Sequence, residues 1–269
     1  MSLPYAEVIG DPIAHSRSPV IHRFWLDRAG VAGDYRRAHV LAAGLADYLA
    51  ARRADPLWRG CNVTVPHKEA VLALIDHVHP DAAEVGAVNT IWRGGDGRLQ
   101  GRNTDVEGIR RALEGVALAG RHVALAGAGG AARAALFALR AAGVARVDVL
   151  NRTPARARGL LDHFGMRGDV LPLDAAPVAD LLVNASTLGM AGQPPLPVRI
   201  DALPAGAAVF DMVYSPLETP LLRAARTKGL RCIDGLEMLI GQAAGAFATF
   251  FGIDAPRDGD AALRALLTA

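Results

Sequence analysis

Cysteine is scarce in this 269-residue chain, and neither sign of charge is in clear excess. Cys61 and Cys232 are the only cysteines and form no C-x-x-C pair, so we expect two buried thiols in a reducing compartment. Among the eight histidines only His77 and His79 stand close together, and their spacing indicates no metal site. Because 29 basic residues face 27 acidic ones, the net charge of +2 gives no reason to expect nucleic acid or an anionic membrane as a partner.

Long uninterrupted apolar runs are also missing. Pro4 and Glu7 interrupt the apolar residues at the N-terminus, and no basic segment precedes them. A signal peptide is therefore not expected. The longest apolar stretch, Leu236 to Ile253, contains Glu237 and Gln242 and many small residues, which is typical of a buried helix rather than a membrane span. Since 51% of the residues are apolar, the chain can form a large core. We therefore expect a globular cytoplasmic protein.

Strand-like and helix-like segments alternate along the whole chain, a pattern that predicts a parallel α/β architecture. Strands are predicted over 5–10, 34–40, 60–65, 122–126, 146–150, 181–185, 207–212 and 230–233, with a hairpin over 88–93 and 99–102. The main helices are predicted over 18–29, 43–53, 130–142, 154–164, within 216–228, over 235–251 and over 256–267. Ser18 is expected to be the N-cap of the first helix, and Pro66 is expected to open a further helix that ends near Asp76.

A glycine-rich turn follows the predicted strand 122–126 and opens a helix. It fits G-x-G-x-x-A and consists of Gly127, Ala128, Gly129, Gly130, Ala131 and Ala132. In such a turn the first glycine permits the tight bend, the second admits a pyrophosphate, and the small last residue packs helix on strand. The alternative is a βα turn without a ligand. The strand–turn–helix context favours a dinucleotide site.

The next strand ends where an NAD site normally carries an acidic residue for the ribose 2′-hydroxyl. This chain instead has Asn151, Arg152, Thr153 and Arg156. Arginine can bind a 2′-phosphate through two hydrogen bonds, whereas a carboxylate would repel it. Asp148 lies earlier, inside the strand. An ordinary pair of solvated arginines is the alternative, but the pattern favours NADP(H).

Polar clusters stand at strand ends in the first half of the chain. They are His15 to Pro19, Asn62 to Lys68, Asn89 to Thr90 and Asn103 to Asp105. Ligands bind at the carboxyl ends of parallel strands, so these clusters are expected to meet in one small-molecule site. Any one cluster alone could serve as helix capping or turn chemistry.

Along its whole length the chain resembles the shikimate dehydrogenase family. The matching stretches, in order, are GDPIAHSRSP, NVTVPHK, GAVNT, GRNTD, GAGGAAR, NRTPAR, NAST, DMVYSP and DGLEMLIGQAAGAF. The resemblance implies NADPH-dependent reduction of 3-dehydroshikimate to shikimate in aromatic amino-acid biosynthesis. It also implies a two-domain α/β fold, with an N-terminal substrate domain (1–103 plus 237–269) and a Rossmann-type doubly wound NADP-binding domain (104–236).

The resemblance also assigns roles to individual residues. Ser16 and Ser18 would hold the substrate carboxylate, with Tyr214 near it, and Thr64, Asn89 and Gln242 would bind ring hydroxyls. Lys68 matches the family's proton donor and acceptor, and Asp105 would orient Lys68 and bind a substrate hydroxyl. Met212 and Gly235 would join the glycine turn and the Asn151–Arg156 segment in the cofactor site. Without the resemblance, the sequence predicts that Lys68 is an exposed lysine on a helix.

Three alternatives stay open at this point. One is a quinate/shikimate dehydrogenase that uses NAD, one is a ligand sensor that has lost catalysis, and one is another NADP enzyme such as a methylene-tetrahydrofolate dehydrogenase. Glu107 departs from the family pattern; we expect it to face solvent, since in the site it would disfavour an anionic substrate. The chain is expected to act as a monomer or homodimer.

Overall fold

A computed structural model of the chain describes residues 3–268 and divides the chain into two compact units. Unit 1 contains the residues up to Glu107 and those from Ile240 onward, and unit 2 is Gly108–Leu239. The domain limits expected from the sequence remain a prediction, and the names unit 1 and unit 2 refer only to this structural division.

The secondary structure follows the predicted alternation. In unit 1 the elements up to the division are β1 (Tyr5–Gly10), α1 (Ser18–Ala29), β2 (Asp34–His39), α2 (Leu45–Ala54), β3 (Trp58–Val63), β4 (His77–Val78), α3 (Pro80–Val85), β5 (Thr90–Arg93) and β6 (Leu99–Arg102). The chain then continues through α4 (Asp105–Ala112), β7 (His122–Ala126), α5 (Gly130–Ala141), β8 (Arg146–Leu150), α6 (Pro154–Phe164), β9 (Val170–Leu171), β10 (Leu181–Asn184), β11 (Ala208–Asp211), α7 (Pro220–Thr227), β12 (Arg231–Ile233), α8 (Gly235–Phe251) and α9 (Asp260–Thr268).

The sheet of unit 1 has the strand order β2-β1-β3-β5-β6-β4. β1 pairs in parallel with β2 and β3, whereas β5 runs antiparallel to β3 and β6. Alternate residues of β1 serve two cores, because successive side chains of a strand point to opposite faces. Tyr5 and Ile9 pack with Leu45 and Leu49, while Val8 packs with a second cluster that contains Phe250 of α8. The C-terminal helix α8 thus covers one face of a sheet made from the N-terminal strands.

The sheet of unit 2 is entirely parallel, with the order β12-β11-β10-β7-β8-β9. From β7 the chain adds strands first on one side, through β8 and β9, and then on the other, through β10 to β12. The strand order therefore reverses between β7 and β10, which is the position where doubly wound folds bind their ligands. The predicted α/β class with a Rossmann-type nucleotide fold is confirmed.

The helix predicted from Pro66 to Asp76 is wrong. Only a short 3-10 turn, Ala70–Ala73, forms in this segment. The main-chain oxygen of Lys68, which would accept an intrahelical bond, instead accepts one from Val88 N at 2.8 Å. A tertiary hydrogen bond thereby replaces the local helical one, and Lys68 stands in a turn.

Four elements were not predicted: β4, α3, α4 and β9. The strands β4 and β9 have only two residues each. The helix α3 begins with Pro80 and ends before Gly86, which adopts the left-handed conformation at φ +69°, so its two end signals were present in the sequence.

The apolar stretch near the C-terminus forms the predicted buried helix, α8. Within residues 3–268, every helix is too short or too polar to cross a membrane. Cys61 is buried as expected, whereas Cys232 remains partly exposed.

Candidate active site

Lys68 and Asp105 form an ion pair in unit 1. Lys68 Nζ lies 2.5 Å from Asp105 Oδ2, and only 13% and 5% of the two side chains are exposed. Lys68 is held in the turn after β3, and Asp105 is the first residue of α4. The pair predicted to be catalytic is therefore brought together with both charges largely removed from water, which strengthens their attraction.

Asn89 connects this pair to two further residues. Its Nδ2 donates to Asp105 Oδ1 at 2.9 Å and to Thr104 Oγ1 at 3.0 Å, and it lies 3.5 Å from Gln242 Oε1 on α8. Its Oδ1 accepts a bond from Thr104 N at 2.7 Å. Four of the predicted site residues, Lys68, Asn89, Asp105 and Gln242, thus share one buried polar cluster.

Ser16 and Ser18 lie side by side at the beginning of α1. Both are buried, and their hydroxyl oxygens are 3.3 Å apart. The prediction that Ser18 is the N-cap is wrong: Arg17 holds that position, and its side chain makes no capping bond. Ser18 is instead the first residue of the helix. Its hydroxyl and that of Ser16 face each other next to first-turn N–H groups, which favour an anion.

The loop that carries Ser16 is anchored to β2. Nε and Nη2 of Arg37 donate to the main-chain oxygen of Ser16 at 2.9 and 2.6 Å. Thr64, the remaining predicted substrate residue of unit 1, is half-buried just beyond β3. A Cβ on Gly10 would come within 2.5 Å of Thr64 Cγ2, so glycine is needed where β1 and β3 end together.

In unit 2 the glycine-rich turn has the expected geometry. Gly127 adopts φ +110°, and a Cβ there would lie 3.0 Å from Ala185 O. The helix α5 begins at Gly130, and its N-cap, Gly129, supplies no side chain to its first N–H groups. Ala128 and Ala131 are half-buried. The turn therefore has the close backbone approach and open helix end that a pyrophosphate requires.

The neighbouring strand end carries the predicted arginines. Gly127 N donates to Leu150 O at 2.9 Å, so the glycine turn and the segment from Asn151 onward begin side by side. Asn151 Nδ2 donates to Thr153 O at 2.9 Å. The side chains at the outer end of this segment, Arg152, Thr153 and Arg156, are exposed.

Asp148 is buried within β8 and does not replace the missing acidic residue. Its Oδ2 lies 2.9 Å from His122 Nε2 and its Oδ1 lies 2.9 Å from Arg146 Nη2. Asp148 Oδ1 also accepts a bond from Asp169 N at 2.8 Å. With Asp148 engaged in this way, the end of β8 offers arginine rather than carboxylate, and this fits a 2′-phosphate.

Met212 and Gly235 also come together in unit 2. A Cβ on Gly235 would lie 2.4 Å from Met212 O, so only glycine permits this approach. Tyr214 follows in the same loop and is half-buried. Of the predicted substrate residues, Tyr214 alone belongs to unit 2.

A buried polar cluster beside Met212 was not predicted from the sequence. Asp211 accepts bonds from Asn184 Nδ2 at 2.9 Å, Thr219 Oγ1 at 2.7 Å and Val213 N at 3.0 Å. Burial raises the pKa of Asp211, while these three donors act in the opposite direction. Asn184 Oδ1 in turn accepts from Ser186 Oγ at 2.7 Å. A polar residue at the end of each apolar strand, LLVN and AVFD, was the available signal.

Glu107 is exposed, as expected, but it is not isolated. It forms an ion pair with Arg102, and a Cβ on Gly245 would clash with its carboxylate. His67, to which the sequence assigned no role, is buried, and its Nε2 lies 2.7 Å from Val40 O. Within residues 3–268, no three His, Cys, Asp or Glu side chains are grouped as metal ligands.

Comparison with known proteins places these features in one family. Residues 8–91 match the model of the shikimate dehydrogenase substrate binding domain, and residues 235–260 match that of the shikimate 5'-dehydrogenase C-terminal domain. A shikimate dehydrogenase (NADP(+)) of Sphingopyxis alaskensis is 59% identical, over 99% of this chain and 97% of that protein.

Solved structures agree with this result. The chain superposes with a TM-score of 0.88 on the shikimate 5-dehydrogenase of Thermus thermophilus in complex with NADP(H) and shikimate, at 41% identity over 99% of this chain and 100% of that one. A quinate dehydrogenase from Corynebacterium glutamicum in complex with NAD is also similar, with a TM-score of 0.86 but 32% identity, over 99% of each chain.

Proposed function

The chain belongs to the shikimate dehydrogenase family, and on this premise we propose that it reduces 3-dehydroshikimate to shikimate with NADPH, reversibly. The observation that carries the proposal is the buried ion pair between Lys68 Nζ and Asp105 Oδ2 at 2.5 Å. Such a pair would supply a proton donor for the ketone oxygen, and the same chain carries a glycine turn and arginines that would bind NADPH.

The reaction adds a hydride to the ketone carbon and a proton to its oxygen. NADPH, when bound, supplies the hydride and becomes NADP+. Lys68 supplies the proton: its ammonium has three hydrogens, of which one serves Asp105, so another is free to stabilise the developing alkoxide and then pass to it. In the reverse direction, neutral Lys68 takes the proton from the C3 hydroxyl. Asp105 holds Nζ in place in both directions.

We expect the polar side chains around this pair to bind and recognise the substrate. The hydroxyls of Ser16 and Ser18, with the start of α1 behind them, would hold its carboxylate. Asn89, Gln242 and Thr64 would bind ring hydroxyls. Such a site rejects analogues that lack a hydroxyl, because its own buried groups would lose their partner. The role of Tyr214 near the carboxylate rests on the family resemblance alone.

The cofactor is expected in unit 2. The turn Gly127, Ala128, Gly129, Gly130 and Ala131 would receive the pyrophosphate. Asn151, Arg152, Thr153 and Arg156 would bind the 2′-phosphate, and the close approach of Met212 and Gly235 would complete the site. We also expect a cytoplasmic enzyme that acts as a monomer or homodimer, which light scattering on the purified protein would distinguish.

The activity is tested by following cofactor reduction with shikimate, with quinate and without substrate, each with NADP+ and with NAD+. We expect the highest kcat/KM for shikimate with NADP+. If quinate with NAD+ were preferred, the quinate dehydrogenase alternative would replace the proposal. If shikimate bound but neither cofactor were reduced, the chain would be a ligand sensor.

Cofactor choice is tested separately with Arg152→Gln. This change removes the planar donor of a 2′-phosphate contact, and we expect KM for NADP+ to rise by about 10- to 100-fold, as for the loss of a charge-assisted bond. KM for NAD+ should hardly change. The matched control is Arg158→Gln, an exposed arginine six positions further along, in the helix α6, that contacts Gly168 O. If the two variants changed KM for NADP+ equally, Arg152 would not be a residue of the cofactor site.

A further inference from the structure

A row of buried hydrogen bonds runs from the edge strand β2 to the ion pair. It begins at Tyr35 on β2 and passes through Asn62 on β3 and Thr90 on β5 to Asn89 and Asp105, all of them buried. The donor-to-acceptor distances are 2.6 Å for Tyr35 Oη to Asn62 Oδ1, 3.1 Å for Asn62 Nδ2 to Thr90 Oγ1, 3.0 Å for Thr90 Oγ1 to Asn89 Oδ1 and 2.9 Å for Asn89 Nδ2 to Asp105 Oδ1.

The direction of this row is fixed by a main-chain carbonyl. Asn62 Nδ2 lies 3.2 Å from the oxygen of Asn89, which can only accept, so the Asn62 amide has one possible orientation. Its Oδ1 therefore faces Tyr35, which must donate. Thr90 accepts from Asn62 and has Asn89 Oδ1 at 3.0 Å and Thr104 Oγ1 at 3.2 Å as acceptors. Asn89 Oδ1 accepts from two donors, Thr104 N at 2.7 Å and the Thr90 hydroxyl at 3.0 Å, so the NH2 group of Asn89 is directed to Asp105, and the row supplies the second of these donors.

The outer end of the row is rigid. The Tyr35 ring stacks on His22 with centroids 3.9 Å apart and planes 5° apart, and Phe250 lies on the same cluster at 6.4 Å. Burial raises the pKa of Tyr35 well above its ordinary value, so its hydroxyl keeps its proton. The packing fixes the ring, and the ring fixes where the O–H donates.

We propose that Tyr35 and Asn62 are positioning residues of the reaction. Through the Thr90 hydroxyl they help to hold the Asn89 amide, which Thr104 N also binds, and Asn89 holds the Asp105 carboxylate against Lys68 in the arrangement needed for proton transfer. Neither residue touches the substrate in this proposal. It rests on the proposed dehydrogenase function and extends it to Tyr35, which the sequence did not single out, and to Asn62, which lay in a predicted polar cluster but had no assigned role.

Two variants test the row. Tyr35→Phe removes one O–H and keeps the ring on His22. Asn62→Asp replaces both donors of Nδ2 by an acceptor that faces the Asn89 carbonyl. We expect the rate constant of hydride transfer in single turnovers to fall by about 10-fold for Tyr35→Phe and more for Asn62→Asp, since displacement of catalytic groups slows chemistry steeply. KM for NADP+ should stay at the wild-type value.

The matched control is Tyr48→Phe. Tyr48 lies on α2, and its hydroxyl donates to Glu7 Oε2 on β1 at 2.6 Å, whereas the hydroxyl of Tyr35 donates to Asn62. With folded enzyme in saturating excess over substrate, a single-turnover rate constant does not depend on how much of the preparation is folded, so a purely structural loss leaves the rate constant unchanged. Tyr48→Phe should keep the wild-type rate constant.

The outcomes separate the two proposals. If wild-type enzyme oxidises shikimate and Tyr35→Phe transfers hydride as fast as wild type, the positioning role is overturned and the proposed function stands. This variant decides the question even if Asn62→Asp does not fold. If the wild-type enzyme itself leaves shikimate unchanged, the proposed function fails first.

Discussion

The chain contains only two lysines, Lys68 and Lys228, among its 29 basic residues. Their ammonium groups are used in different ways. Lys68 Nζ lies against the Asp105 carboxylate at 2.5 Å. Lys228 Nζ donates all its hydrogens to three main-chain oxygens at 2.7, 2.5 and 2.9 Å, those of Ile200, Asp201 and Leu203. Lys228 therefore ties a loop, whereas Lys68 keeps a hydrogen for chemistry.

Replacement of each lysine by arginine separates these roles. Arginine keeps the positive charge beside Asp105 but does not release a proton near neutral pH. We expect Lys68→Arg to lower kcat by about 100- to 10,000-fold, the usual contribution of a general acid, with NADP+ affinity nearly unchanged. Lys228→Arg should lower Tm and leave kcat almost as it is. Steady-state kinetics and thermal melts of both variants give the answer, and a Lys68→Arg enzyme with most of its turnover would remove Lys68 from proton transfer.

The burial of His22 makes the free energy of unfolding depend on pH. It is fully buried among aromatic rings, neither ring nitrogen has a hydrogen-bond partner within residues 3–268, and burial lowers its pKa from 6.5 to about 3. Below pH 6.5 the unfolded chain takes up a proton at this residue and the folded chain does not. The free energy of unfolding must therefore fall as pH decreases through this range, until the folded form titrates near pH 3.

His22→Phe removes this titration and keeps an aromatic ring. We expect the stability of the variant relative to wild type to increase by about 1.4 kcal/mol for each pH unit below the unfolded-state pKa. Urea unfolding at pH 7 and pH 5, followed by tryptophan fluorescence, measures the difference. His77→Phe, at the exposed position of β4, is the control and should show the wild-type slope. A constant difference between wild type and His22→Phe at both pH values would contradict a neutral buried His22.

At the level of elements, the loop between β1 and α1 depends on β2. Arg37 clamps the Ser16 carbonyl with two donors, and this fixes where the Ser16 and Ser18 hydroxyls point. Arg37→Met should raise KM for shikimate by about 10-fold with a smaller change in kcat, since the substrate loop is loosened while the ion pair is untouched. Arg36→Met is the neighbouring control: Arg36 pairs with Asp34 and lies over the Tyr5 ring. Equal KM values for the two variants would show that Arg37 does not position the loop.

The elements also show what sequence patterns can reveal. Strand–helix alternation predicted both sheets because hydrophobic periodicity and end residues are local properties, and β1, α1, β7, β8 and α6 have the predicted bounds. The segment after Pro66 was mispredicted because the Lys68 carbonyl bonds to Val88, twenty positions along the chain, and no local pattern reports such a bond.

The candidate site divides in the same way. The motifs predicted that Lys68, Asn89, Asp105 and Gln242 belong together, and the structure brings them into one cluster. They did not reveal Tyr35 or the Arg37 clamp, which act through β2. Residues of this kind act on the substrate only through other residues, so they carry no motif of their own and can be identified only once the sheet is packed.

At the level of the whole molecule, unit 1 is discontinuous in sequence and unit 2 is continuous. Phe250 and Ala246 of α8 pack on Ala6 and Val8 of β1, so the N-terminal sheet needs the last helices to cover it. Unit 2 has its own core on a parallel sheet, formed by residues such as Leu182, Val209 and Leu222. The two units should therefore respond differently when the chain is cut at the divisions.

The segment 108–239 should fold alone and bind NADP+ with nearly the affinity of the full chain, while showing no affinity for shikimate, since Ser16, Lys68 and Asp105 lie outside it. Calorimetric titration of the purified fragment with each compound tests this. The converse chain, 1–239, lacks most of α8 and all of α9, so the face of β1 that carries Ala6 and Val8 loses its cover and unit 1 should not fold.

Tryptophan fluorescence distinguishes the two halves of this prediction, because all three tryptophans, Trp25, Trp58 and Trp92, lie in unit 1. In the full chain Trp25 and Trp58 are buried, and in 1–239 they should become exposed and emit at longer wavelength. NADP+ binding by 1–239 should survive this change. If 108–239 stayed unfolded or failed to bind NADP+, the cofactor site would need residues of unit 1, and the assignment of the glycine turn and Arg152 as a sufficient site would be wrong.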